Sequence, residues 1–139
     1  MKRSSLSTVI LLLVFCGNLK SQNQITETFN SSEYKLIQWI LGCQSMAYAV
    51  ATTQEPSLFK VYMGLGNLWS ENASKEYLVL QGHGIEPDEK LKENTSAVIE
   101  LYQKIFNDPS FARKPEALLA LSFAEEVIHK QIIPKLACK

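Results

Sequence analysis

From residue 32 onward the apolar positions of this chain fall into four blocks with a helical beat, separated by short stretches rich in Gly, Pro, Asn and Asp. The first block predicts a helix over 32–53. Ser32 is its expected N-cap, and Glu33 suits the positive end of the helix dipole. Its centre, LIQWILGCQSMAYAVATTQ, carries no charge. Such a helix is buried on most sides or lies in a membrane. Gln38, Gln44, Ser45 and Thr52, and the lack of a basic flank, favour burial. Cys43, Ala47 and Ala51 form a stripe of small side chains that lets another helix approach.

The second block opens at Pro56, a favourable first helical residue, and closes at Gly82 and Gly84. Leu58, Tyr62, Leu65, Trp69, Ala73, Tyr77 and Leu80 form its expected inner stripe. Gly64 and Gly66 mark a kink or a close crossing. The third helix restarts at Pro87, with Asp88 and Glu89 in its first turn. Leu91, Thr95, Val98, Tyr102, Ile105 and Phe106 face inward, and Asp108-Pro109 stops it. The fourth runs from Pro115 to just before Pro134. Short connections between four helices predict an all-α antiparallel four-helix bundle, a single domain over 32–139.

Ahead of it, Lys2 and Arg3 precede the short apolar run Val9 to Phe15, and Ser, Gly and Asn follow. This is the pattern of a secretory signal, assigned to 1–21, with 22–31 a mobile polar leader. A rival ending is lipidation at Cys16, in the lipobox-like LVFC, although Phe15 is larger than that pattern prefers. Export leaves Cys43 and Cys138, an even count in an oxidising compartment. A Cys43–Cys138 disulfide is therefore expected, reached by an extended segment after Pro134. Two separate thiols are the alternative.

Lysine plus arginine balance aspartate plus glutamate at 14 each, so nothing steers the chain to nucleic acid. Candidate chemistry is sparse. Glu126-x-x-His129 has the spacing that one helix supplies to a carboxylate-bridged di-metal centre. On a helical wheel it shares a face with Ser122 and Glu125, opposite Ala117, Leu121 and Ala124, whereas a bundle metal site needs inward ligands. The matching carboxylates on other helices are also missing, and an i, i+4 surface pair of Glu125 with His129 accounts for the pattern. His83, between two glycines, is a second candidate ligand or a plain turn residue. Asn30, Asn72 and Asn94 begin Asn-x-Ser/Thr triplets, glycosylation sites only in a eukaryotic secretory pathway. Trp39, Tyr62, Trp69, Tyr77 and Tyr102 line a ligand pocket or, as their helical spacing favours, fill the core.

These readings lead to a secreted or periplasmic helical domain that binds a protein partner or a small apolar ligand, with no cofactor implied. The alternatives are a metal-dependent bundle enzyme using Glu126 and His129, and a protein attached to a membrane through Cys16 or the first helix.

Overall fold

The computed structural model of the chain describes residues 31–82 and 88–137. The expected signal segment 1–21, Cys16, Asn30, His83 and Cys138 lie outside the described residues. The described chain is all-helical. In order it forms α1 (Ser32–Thr52), α2 (Pro56–Gly82), α3 (Glu89–Asn107), the short α4 (Pro109–Ala112) and α5 (Pro115–Val127). A π turn (Ile128–Ile132) leads α5 directly into α6 (Ile133–Ala137).

Several helix ends are closed by nearby side chains. The cap of α1 is Ser31, one residue earlier than the sequence predicts: its Oγ accepts from the Tyr34 amide at 3.2 Å. The last residue of the expected leader therefore belongs to the helix end. Asp88 likewise caps α3 from outside, its Oδ1 accepting from the Leu91 amide at 3.0 Å, instead of sitting in the first turn. Asp108 stops α3 and at once caps α4, a helix absent from the sequence reading. At the other end of α1, the Arg113 guanidinium donates to the carbonyls of Val50, at 3.0 Å, and of Thr53. It also lies 5.2 Å from the centre of the Phe59 ring. One arginine thus closes the negative end of α1 and holds the start of α2 beside it.

α1 and α2, joined by three non-helical residues, fold back along each other and make the most extensive helix pairing. α3 packs on both, and α5 packs on α1 and α3. No comparable packing joins α2 to α5. The cross-links show the senses. Gly66 and Asn67 of α2 meet Phe106 and Asn107 of α3, while Tyr77 donates to the Lys92 carbonyl, so α2 and α3 run antiparallel. Gln44 meets Leu121 while Val50 meets Arg113, so α1 and α5 do too. Leu36, Ile40, Cys43, Ala47 and Val50 of α1 are fully buried, as the uncharged centre of that helix requires. The expected inner stripe of α3 is buried throughout.

On α2 the expected inner stripe holds at Ala73, Tyr77 and Leu80, with Tyr62 and Trp69 partly buried against the core, and fails only in the first half. Gly66, Ser70, Ala73, Tyr77 and Leu80 face the core, and Leu58 and Leu65 are exposed. Gly66 marks a close crossing. A Cβ there would lie 2.1 Å from Phe106 Cε1, so the bare backbone at this position receives the phenyl ring. Gly64 has no such role, since a Cβ there would meet nothing within 4 Å.

Pro134 does not end the last helix. Proline lacks an amide hydrogen, and its ring clashes with the carbonyl four residues back. The π turn relieves this, because the Ile133 amide reaches the Ile128 carbonyl and the turn is one residue wider just ahead of the proline. Ile132, Ile133, Leu136 and Ala137 are then buried, α6 rests on α1, and Lys135 Nζ bonds Asp88 Oδ2 at 2.5 Å.

This path departs from the extended one expected for a Cys43–Cys138 bridge, whose second cysteine lies outside the described residues. The segment after Pro134 is helical, not extended. Gln44 is level with Leu121, and Ala137 lies roughly 24 Å farther along that helix at about 1.5 Å per residue. Cys43 is a free, buried thiol.

Two substitutions test this packing. Gly66→Ala should destabilise the fold by roughly 1–3 kcal/mol, because Phe106 must leave its seat. Tyr102→Phe should cost roughly 1–3 kcal/mol by leaving the buried Gln44 carbonyl oxygen unpaired. Urea unfolding followed by circular dichroism measures both.

Candidate functional site

The C-terminal helix carries the Glu-x-x-His spacing, and the fold decides where it points. α5 buries Ala117, Leu121 and Ala124. Ser122, Glu125, Glu126 and His129 are exposed on the opposite side, as the helical wheel predicts. Glu126 is engaged by Lys130, whose Nζ donates to its Oε1 at 2.8 Å. That bond holds the Glu126 carboxyl below its ordinary range. The surface pair is thus Glu126 with Lys130, not Glu125 with His129. Among the described residues no three His, Cys, Asp or Glu side chains come together to hold a metal ion.

The polar groups that do converge lie inside. Tyr102 Oη donates to Gln44 Oε1 at 2.6 Å, and Gln44 Nε2 donates to the Leu121 carbonyl at 2.7 Å. One chain of two hydrogen bonds thereby joins α3, α1 and α5 at mid-height. Tyr102 is fully buried, and burial drives its phenol well above its ordinary range, with the neighbouring Cys43 and Glu125 adding to the effect. Burial also pushes the Cys43 thiol up to about 12. A thiolate is the nucleophilic form, so Cys43 is chemically quiet in the folded protein. Thr95 Oγ1 is buried with no hydrogen-bond partner among the described residues.

The remaining candidates are spread apart. Tyr77 and Tyr102 are core residues, and Trp39, Tyr62 and Trp69 pack partly buried against that core, so the aromatics fill space between helices. Asn72 and Asn94 lie half-buried within α2 and α3. The next residue of each triplet, Ala73 or Thr95, is fully buried, and Ser96 donates to Tyr77 Oη at 3.3 Å. No helix among the described residues is long and apolar enough to cross a membrane.

The sequence reading missed the outer apolar surface. Leu119 and Phe123, one turn apart on α5, are 64% and 66% exposed. A second group, Leu58, Val61, Leu65 and Leu68, stands on α2. The signal was present: both helices carry large apolar residues on more faces than a single core contact covers. Isolated exposed apolar residues are normal, whereas large contiguous groups mark interaction sites. Comparison with protein families, with characterised proteins and with solved structures finds no match for this chain.

The buried thiol gives a signed pH dependence. The folded value of Cys43, about 12, lies above that of an unfolded cysteine. Its contribution is fully retained below about pH 8.5, the ordinary thiol value, and is lost as pH rises toward the folded one. Stability should therefore fall between about pH 8.5 and 12, by about 1.4 kcal/mol per pH unit for this one proton. In Cys43→Ala the slope should be shallower by one proton. Denaturant melts across that range measure it.

Proposed function

We propose that this chain is an exported antiparallel four-helix bundle that binds a protein partner through the outer face of α5. The observation that carries the reading is the exposed pair Leu119 and Phe123, standing one helical turn apart. Exposing a leucine and a phenylalanine to water forgoes roughly 1.5–3 kcal/mol of burial for each. A partner that covers them recovers it. Aromatic anchors ringed by polar groups are the usual centre of such a contact.

The surroundings supply such a rim. Glu116 and Glu126 are exposed one turn either side of the pair along the helix, and Ser122 lies beside it, 3.2 Å from Tyr48 Oη. A partner with an apolar socket and polar edges matches this face. The pair is on the outside of α5 and does not line an internal space, which favours a protein over a small apolar ligand. Export rests on the charged start and apolar run of 1–21.

The test is co-purification from the extracellular or periplasmic fraction of the source cells. Wild-type protein should retain a defined partner, and Leu119→Ser with Phe123→Ser should lose it by at least about tenfold in affinity. The thermal midpoint should stay within a degree or two, because both side chains are exposed already. Retention of the partner by the double variant would sink this face as the binding site.

A further inference from the structure

α2 presents a second apolar face, distinct from that of α5. Leu58, Val61, Leu65 and Leu68 are 41%, 54%, 39% and 54% exposed. Their spacing of three, four and three residues is that of a coiled-coil seam. Asn72, Lys75 and Val79 continue the same register. We propose that this face is a self-association surface, on which two copies of the chain pair antiparallel about a two-fold axis between Leu65 and Leu68.

Charge selects both the occupant and the direction. Lys60, Glu71 and Lys75 are exposed along this helix, and none takes part in an ion pair among the described residues. With Leu65 opposite Leu68 of the second copy, Val61 meets Asn72 and Leu58 meets the stem of Lys75. Lys60 then reaches Glu71. By symmetry this pair occurs twice, so an isologous contact satisfies both charges on each copy. A parallel pairing would set Lys75 against Lys75 at the seam, a like-charge contact that opposes it.

Gly64 supplies an independent observation. Glycine is among the least favoured residues in a helix interior. Gly66 is explained by the Phe106 ring seated on it, but a Cβ at Gly64 would meet nothing in its own chain. Gly64 lies between Val61 and Leu68 on the exposed face, facing Glu71 of the second copy. Without a side chain there, the long stem of Lys60 crosses to that carboxylate and the helices come close. The seam spans about 15 Å of helix at 1.5 Å per residue. So short a contact is at the low end of specific interfaces, which places the dissociation constant in the micromolar range. A glycan on Asn72 would obstruct it, so the dimer is a property of the chain unmodified at that position.

Sedimentation equilibrium of the full chain, from about 1 to about 300 µM, tests this against a micromolar constant. A monomer–dimer equilibrium is expected. Leu65→Glu and Leu68→Glu should each raise the dissociation constant at least about tenfold without lowering the thermal midpoint of the monomer. Lys60→Glu should weaken the dimer, and adding Glu71→Lys should restore it. Gly64→Ala should raise the monomer's thermal midpoint while weakening the dimer, a pairing of effects that a purely intramolecular role does not produce. Leu119→Ser with Phe123→Ser should leave the dimer intact, which separates this face from the partner site on α5. A monomer throughout overturns the proposal, whether the face is bare or covered by the chain's own first thirty residues. So does a dimer indifferent to Leu65→Glu, or one that the Lys60–Glu71 exchange fails to restore.

Discussion

The arrangement of this domain turns on one buried glutamine. Gln44 stands in the middle of a helix that carries no charge, surrounded by leucine, isoleucine and alanine. An amide buried without partners costs several kcal/mol. Gln44 avoids that cost because Tyr102 donates to its oxygen and its nitrogen donates to the Leu121 carbonyl. Both bonds are possible only when α3 and α5 stand at one height and one rotation against α1. Apolar packing tolerates small slips of a helix along its neighbour, but a hydrogen bond lost to such a slip leaves a buried polar group unpaired. The glutamine therefore converts general hydrophobic attraction into a specific register.

Two further devices extend that register to the ends of the domain. Arg113 closes the carbonyl end of α1 and rests over Phe59, so the turn into α2 and the turn into α5 share one side chain. At the opposite end, Lys135 bonds the capping carboxylate of Asp88 and holds that carboxyl below its usual range. This second link exists because the chain stays helical through Pro134. The π turn widens the helix where the proline would clash, and it re-aims the following residues so that Ile133 and Leu136 are buried against the core.

The same architecture explains why so much apolar surface remains outside. α1 and α3 touch each other and both remaining long helices, so nearly all their apolar residues are consumed by the core. α2 and α5 each pack on α1 and α3 and not substantially on one another. Each therefore buries one face and turns another outward. Their sequences are apolar on both faces, and the outward residues form organised rows. The functional reading of the chain rests on those rows more than on any reactive group inside it.

Much of this was legible in residue order. The helical beat placed all four long helices, and the uncharged centre of α1 implied its burial. The wheel turned Ser122, Glu125, Glu126 and His129 outward. These features depend on periodicity and local capping, which neighbouring residues determine by themselves. Other features needed contacts between residues far apart in the chain. No local pattern distinguishes Gly66, which receives Phe106, from Gly64, which receives nothing, or shows that Leu58 and Leu65 are left outside. Nor does residue order show that Pro134 would be carried within a helix, which buries Ile133, Leu136 and Ala137 against the core. Periodicity and local capping mark which segments are helical and which carry apolar faces. Which faces meet is settled by long-range packing, because each helix offers more apolar surface than one partner covers.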